Sequence, residues 1–248
     1  MIDADDILAA TAHRSWPVPK SPWVLFQSWQ ELLFAHWRAP VDRLQRLVPR
    51  PLIVEEFDGS AWITMAPFRI EHFRPRFMPD IPGLSSFLEL NVRTYVTLQG
   101  KPGVYFFSLD ADSRAAVAGA RAFYRLPYHT ARMSLVHEGD AIRFNSRRNE
   151  GPTAELGIRY QARGEAFAPA PGTLDHFLTE RYCLYTVSNE GRAARTEIHH
   201  APWELRPADA RIEVNSMLSI AGIEVGSDSP LLHFATRQDV LTWPPQPA

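Results

Sequence analysis

Residues 87–96 read Phe-Leu-Glu-Leu-Asn-Val-Arg-Thr-Tyr-Val. In an extended strand, alternate side chains share a face. Leu88, Leu90, Val92 and Val96 then lie on one side, and Glu89, Asn91, Arg93 and Tyr95 on the other. The second row combines an acid, an amide, a base and a phenol. A guanidinium holds an anion through paired N–H groups, and a carboxylate gives or takes a proton from a bound compound. Two settings fit such a face: the solvated side of a half-buried sheet, or the polar wall of a pocket. Phe87 and the neighbouring run Val104-Tyr105-Phe106-Phe107 point to burial on both sides. Asn and Glu are also poor strand formers, which makes a purely structural choice the less natural one.

Arg121 is the second candidate. On a helix over 114–124 it shares a face with Val117 and Tyr124, among Ala115, Ala116, Ala118, Gly119, Ala120 and Ala122. Small neighbours let such a helix sit close to a sheet. A buried arginine then needs a carboxylate, since an unpaired buried charge is costly, and Glu89 or Asp110 could supply it. The alternative is an exposed arginine near a helix C-terminus, where the dipole favours it.

Metal and cofactor motifs are not found. The chain has no His-Glu-x-x-His, no cysteine cluster, no Gly-x-Gly-x-x-Gly, no P-loop and no Gly-x-Ser-x-Gly. His199 and His200 are adjacent, so on a strand they face opposite ways. His36 and His129 stand alone, and Cys183 reads as a small buried hydrophobe. No metal and no cofactor are therefore expected. Lys20 and Lys101 are the two lysines of the chain, so amines for covalent chemistry are scarce.

Two segments resemble acetoacetate decarboxylases. Residues 118–129 (Ala-Gly-Ala-Arg-Ala-Phe-Tyr-Arg-Leu-Pro-Tyr-His) are similar to the Gly-Arg-Glu-x-x-x-x-Pro-Lys-Lys segment of that family, and residues 87–91 to its Pro-Tyr-x-Glu strand. Four segments resemble the YqjF-like family of uncharacterised bacterial proteins more fully: residues 87–96, 103–110, 177–182 (Phe-Leu-Thr-Glu-Arg-Tyr) and 199–203 (His-His-Ala-Pro-Trp). That likeness spans roughly residues 29–243. It implies an acetoacetate-decarboxylase-like fold, with an antiparallel, barrel-like β core, a central cavity and a few peripheral helices. It also places Glu89 on the active-site glutamate. The decarboxylase lysine pair is matched here by Tyr128 and His129, so Schiff-base decarboxylation is not carried over. The expected catalytic residues are Glu89, Tyr128 and His129. The expected ligand-binding residues are Asn91, Arg93 and Arg121.

The elements needed to hold these residues can be read from the rest of the chain. At 248 residues and 45% hydrophobic content, one α+β domain is expected, with an N-terminal helix and Pro-rich arm over 1–28 and a β-rich core over 29–243. The helix is expected from Asp3 to His13. Strands are expected at 31–38, 54–57, 61–67, 87–98, 104–109, 128–137, 141–148, 158–167, 182–187, 194–200 and 231–243. Asp58-Gly59 reads as a hairpin turn. Residues 212–220 are ambiguous, and residues 71–86, rich in Pro and aromatics, read as a lid or wall.

A net charge of −2 argues against a nucleic-acid partner. The acidic start lacks the features of a signal peptide, and no stretch approaches the roughly 20 apolar residues that cross a bilayer. A cytoplasmic location without membrane association is expected, and a homo-oligomer is compatible with it. Three functions fit these readings. One is an enzyme on a small carboxylate or carbonyl compound, using lyase- or hydrolase-like acid/base chemistry. The second is a non-catalytic ligand-binding protein, and the third a structural or interaction protein.

Overall fold

Aromatic and β-branched residues at period two recur along most of the chain, and strands dominate the fold. The computed structural model describes residues 4–226 and 228–248. A helix α1 (Ala4–Ala9) and an extended arm precede β1 (Leu25–Ala39), α2 (Val41–Leu47), β2 (Ile53–Val54), β3 (Ala61–Pro75), β4 (Phe87–Leu98) and β5 (Lys101–Ala111). Helix α3 (Arg114–Tyr124) leads into β6 (Tyr128–Glu138), β7 (Ala141–Arg148) and β8 (Glu155–Ala162). Then come α4 (Leu174–Thr179), β9 (Cys183–Val187), β10 (Ala193–His200), β11 (Arg206–Asn215), α5 (Met217–Ile220), β12 (Leu231–Thr242) and β13 (Gln246–Pro247).

Local chemistry sets many boundaries. Ser113 caps α3 by accepting from the Ala116 N–H at 3.3 Å, and Thr173 does the same for His176 on α4 at 3.3 Å. Gln99 and Gly100, at φ 52° and 78°, form the two-residue turn from β4 to β5. Asp58 and Gly59 also turn with positive φ, bringing Phe57 and Ser60 into a bridge. The strand expected before that turn is shorter than its sequence suggests. Only Ile53–Val54 is extended in a ladder, and it pairs with β4, where Val54 faces Val96. The ambiguous stretch 212–220 is split: residues 212–215 end strand β11 (Arg206–Asn215), and Met217–Ile220 form helix α5. Asp3, the expected first helical residue, lies outside the described residues.

The strands join in the order β13-β10-β9-β5-β6-β7-β8-β11-β12-β1-β3-β4-β2. Further pairings of β4 with β5 and of β10 with β12 turn this sheet back on itself, so it is ring-like without being a simple barrel. The ladders are antiparallel except where β5 meets β6 and β9 in parallel over a few residues. On β4, Leu90, Val92 and Val96 pack with Leu33, Ile63, Met65, Phe144 and Ile158 in the largest core cluster. The alternate residues of β4 face away from that core.

Bulges adjust which side chains reach the other face. In β1 the register against β3 shifts between Gln30 and Ala35, and Glu31 takes φ 55°. Gln27 and Trp29 before the shift and Leu32 and Phe34 after it therefore face the same interior space, although their numbers differ in parity. His72, at φ 54°, accompanies the same exchange in β3, from Phe68 and Ile70 to Phe73 and Pro75. No helix among the described residues is long and apolar enough to cross a membrane.

Candidate active site

The face of β4 opposite the core opens onto a cavity of about 630 Å³, bounded chiefly by β1, β3, β4, β5 and α3. Its lining is mostly apolar, with Trp29, Phe34, Phe68, Phe87 and Phe106 prominent. Helix α3 leaves room rather than filling it. Its cavity face consists largely of Ala115, Ala116, Gly119 and Ala120, and a Cβ added at Gly119 would meet nothing within 4 Å. The segment after β3 supplies Pro79, Ile81, Leu84 and Ser85 to the wall. Bonds from Phe73 N–H to the Ser85 carbonyl (3.0 Å) and from Ile81 N–H to Ser85 Oγ (2.8 Å) fasten it there.

Polar groups gather at one place in this apolar space. Glu89, Asn91 and Arg93 all line it and are all buried. Tyr128, at the start of β6, donates its hydroxyl hydrogen to Glu89 Oε2 at 2.7 Å. Burial pushes the Glu89 carboxyl up to about 7, and the nearby Asp110 adds to the rise. The bonds from Tyr128 and Asn91 oppose that rise by favouring the anion. The Tyr128 phenol is held well above its usual range by burial and then by the Glu89 charge. Glu89 is thus poised to exchange a proton near neutral pH, while Tyr128 stays a hydrogen-bond donor.

Arg93 is the more unusual group. It is 8% exposed, and its Nε and Nη2 have no hydrogen-bond partner, as is also true of Asn91 Oδ1. Its guanidinium carbon lies 5.1 Å from the Phe34 ring centroid, and no carboxylate among the described residues lies within ion-pair distance. Arg181, which also lines the cavity, has its charge met by Glu55 at 2.5 Å. Beside Arg93 runs a string of buried polar groups. Tyr95 Oη lies 2.6 Å from Thr64 Oγ1 and donates to the Leu178 carbonyl at 2.8 Å. His36 Nδ1 lies 2.8 Å from the same Thr64 oxygen, and His36 Nε2 lies 3.2 Å from His233 Nδ1. His233 Nε2 reaches Asp175 Oδ1 at 3.1 Å. Burial, then His233 and Arg93, hold His36 well below the usual histidine range.

Two expected site residues stand elsewhere. The side chain of Arg121 is 44% exposed, and its partners are the Tyr128 carbonyl (2.7 Å) and Glu150 (3.1 Å), so the expected burial against Glu89 is corrected. The cause is the roll of α3, which turns its alanines and glycine to the cavity and Arg121 outward. His129 follows Tyr128 along β6 and points to the other face, where Arg148, Asp110, Arg121 and Glu150 act on it. Asp110 is taken by Arg148, through two bonds of 2.9 and 2.7 Å. Neither lysine lines the cavity, and Lys101 pairs with Glu197. Sequence reading missed Arg181 as a lining residue. It lies in the segment 177–182, whose place beside the cavity depends on β9 packing closely on Gly103 of β5.

Solved structures share this architecture at low identity. A crystal structure of acetoacetate decarboxylase from Legionella pneumophila superposes with a TM-score of 0.63 at 15% identity, covering 98% of this chain and 94% of that one. The enduracididine biosynthesis enzyme MppR complexed with pyruvate gives 0.61 at 12%, covering 94% and 93%. In sequence, acetoacetate decarboxylase 3 of Mesorhizobium japonicum is 28% identical over 124 residues, which is 50% of this chain and 43% of that protein. The uncharacterized protein YqjF of Bacillus subtilis (strain 168) is 46% identical over 232 residues, 94% of this chain and 96% of its own. The family model DUF2071, an uncharacterized conserved protein, matches residues 26–239, and the chain belongs to that family.

Proposed function

We propose that the cavity binds a small carboxylate that also carries a carbonyl or an acidic C–H, and that Glu89 exchanges a proton with it. The observation that carries this reading is Arg93. It is a buried guanidinium with two unpartnered N–H groups facing a mostly apolar cavity, on the strand row that also presents Glu89. A bound carboxylate satisfies both N–H groups and offsets the cost of the isolated charge. Asn91 and Tyr128 complete the polar patch, and the aromatic walls exclude water from the rest of the ligand. Glu89, held near neutrality, then serves as acid or base without a lysine adduct. MppR, a neighbour in fold, was solved with pyruvate, a compound bearing both groups. A second reading, binding without turnover, keeps Arg93 and leaves Glu89 idle. The absence of lysine among the lining residues favours it over amine catalysis.

Titration calorimetry with pyruvate, acetoacetate and longer 2-oxo acids tests the anion site. Arg93→Met is expected to weaken binding roughly tenfold to a hundredfold, the worth of a charged hydrogen bond. Glu89→Gln is expected to keep binding and to abolish exchange of the ligand's acidic hydrogens in heavy water, followed by NMR. Binding that is absent, or indifferent to Arg93→Met, overturns the proposal. Binding without exchange in the wild type leaves the second reading.

A further inference from the structure

A second chemical cluster lies where the N-terminal arm crosses the end of β10. His13 of the arm, Glu180 after α4 and His200 of β10 each place a ligand-type atom within 4.8 Å of the others. The hydrogen bonds fix which nitrogens carry hydrogens. A carbonyl oxygen can only accept, so His13 Nε2, 2.9 Å from the His200 carbonyl, must donate. His200 Nδ1, 2.7 Å from the Ala201 carbonyl, must donate too. In the neutral rings each remaining nitrogen is then a lone pair, and no hydrogen bond among the described residues is spent on either. Metal-ligating histidines are commonly oriented in this way, with one ring N–H given to a carbonyl.

The surroundings hold this arrangement. His200 is fully buried, and its ring stacks on Tyr182 at 4.8 Å and packs against Trp203 at 5.0 Å. Burial pushes the imidazole down to about 3, so it stays neutral over the physiological range. Glu180 receives the Tyr182 hydroxyl on one oxygen and the Trp203 backbone N–H, at 3.4 Å, on the other. His199 is not part of the cluster. Its Nε2 donates to the Ile7 carbonyl at 2.8 Å, and its Nδ1 accepts from Arg14 at 3.2 Å. Arg14 is the neighbouring cation, lying over the Tyr182 ring at 4.3 Å, and Glu197 at 3.6 Å offsets its charge.

We infer that His13, Glu180 and His200 form a site for a first-row divalent cation that ties the arm to β10. Two imidazoles and a carboxylate suit zinc(II) or iron(II), and three protein ligands leave room for water. Ligand atoms around such an ion stand roughly 3.3 Å apart, given metal–ligand bonds of about 2.0–2.1 Å. Loading the site therefore draws His13 inward from the present spacing, which the half-buried arm can follow. No spacing rule finds this trio, because its members lie far apart in the chain and meet only through tertiary structure.

The test uses the full chain without an affinity tag, stripped by chelator and then equilibrated with zinc(II) or cobalt(II). One zinc per chain is expected by mass spectrometry after gel filtration, together with a rise in melting temperature and cobalt d–d bands. His13→Ala, on the arm, and Glu180→Gln are each expected to weaken zinc binding by more than about tenfold and to remove the thermal shift. His200→Ala should do the same where it folds, as judged by circular dichroism. Failure of the wild type to retain zinc overturns the inference. So does zinc retained equally by His13→Ala and Glu180→Gln, since the ion then lies elsewhere.

Discussion

Arg93 and Arg148 both hold their side chains buried in the same sheet, and the surroundings of the two differ. Arg148 on β7 presents its fork to Asp110 on β5, with both carboxylate oxygens engaged and the acid fully buried. Arg93 on β4 presents its fork to a cavity, with two N–H groups unpartnered. Desolvation is costly for both, and only one recovers it from within the chain. A guanidinium satisfied by its own protein belongs to the scaffold. One left open in a cavity is, under the proposed function, the group that would meet an anion from outside.

Stability measurements can break this contrast. Arg148→Ala strands the Asp110 charge and should cost about 3–5 kcal/mol in urea unfolding, with much of the loss restored by adding Asp110→Asn. Arg93→Met removes a charge that has no carboxylate partner among the described residues, so it should leave stability unchanged or raise it. Equal losses in the two variants would show that Arg93 has an unrecognised internal counterion.

Glu89 sharpens the contrast through pH. Its folded value is raised from 4.5 to about 7, so the fold favours the protonated acid. Its contribution is complete below 4.5 and is lost as pH rises through about 7. The loss amounts to about 3 kcal/mol across that window, converting the shift at about 1.4 kcal/mol per unit. The wild type minus Glu89→Gln difference should therefore fall with rising pH. A difference flat with pH would refute the raised carboxyl. Arg121 gives the smallest effect. With its side chain 44% exposed and paired to an exposed Glu150, Arg121→Ala should change stability by no more than about 0.5 kcal/mol. A loss of several kcal/mol would reinstate the buried pairing.

The β4 row was legible in the sequence because a regular strand turns parity into faces, and Glu89, Asn91 and Arg93 do share the cavity side. Arg121 was misplaced for a definite physical reason. The face of α3 toward the cavity is made of Ala115, Ala116, Gly119 and Ala120, and such residues carry almost no weight in a periodicity argument. A helix that encloses space gives a weaker apolar signal than one that fills a core. The arms of β1 and β3 were hidden by bulges that exchange odd for even positions. The family resemblance pointed to the general fold. The string from Asp175 to Tyr95 was out of reach, since its members meet only when β1, β3, β4, α4 and β12 come together.

That string also has a direction. Tyr95 commits its hydrogen to the Leu178 carbonyl, so Thr64 must give its hydrogen to Tyr95. His36 must then donate through Nδ1 to Thr64 and, being neutral, offers only a lone pair at Nε2. His233 must fill that gap with its Nδ1 hydrogen. Its Nε2 faces the Asp175 carboxylate, and a neutral ring has no second hydrogen to place there. One carbonyl at the inner end thereby dictates the proton count at the outer end, where Asp175 meets solvent. The row behaves as a line of dominoes laid one way, and at its last contact burial lowers His233 against the pull of Asp175 for one more hydrogen.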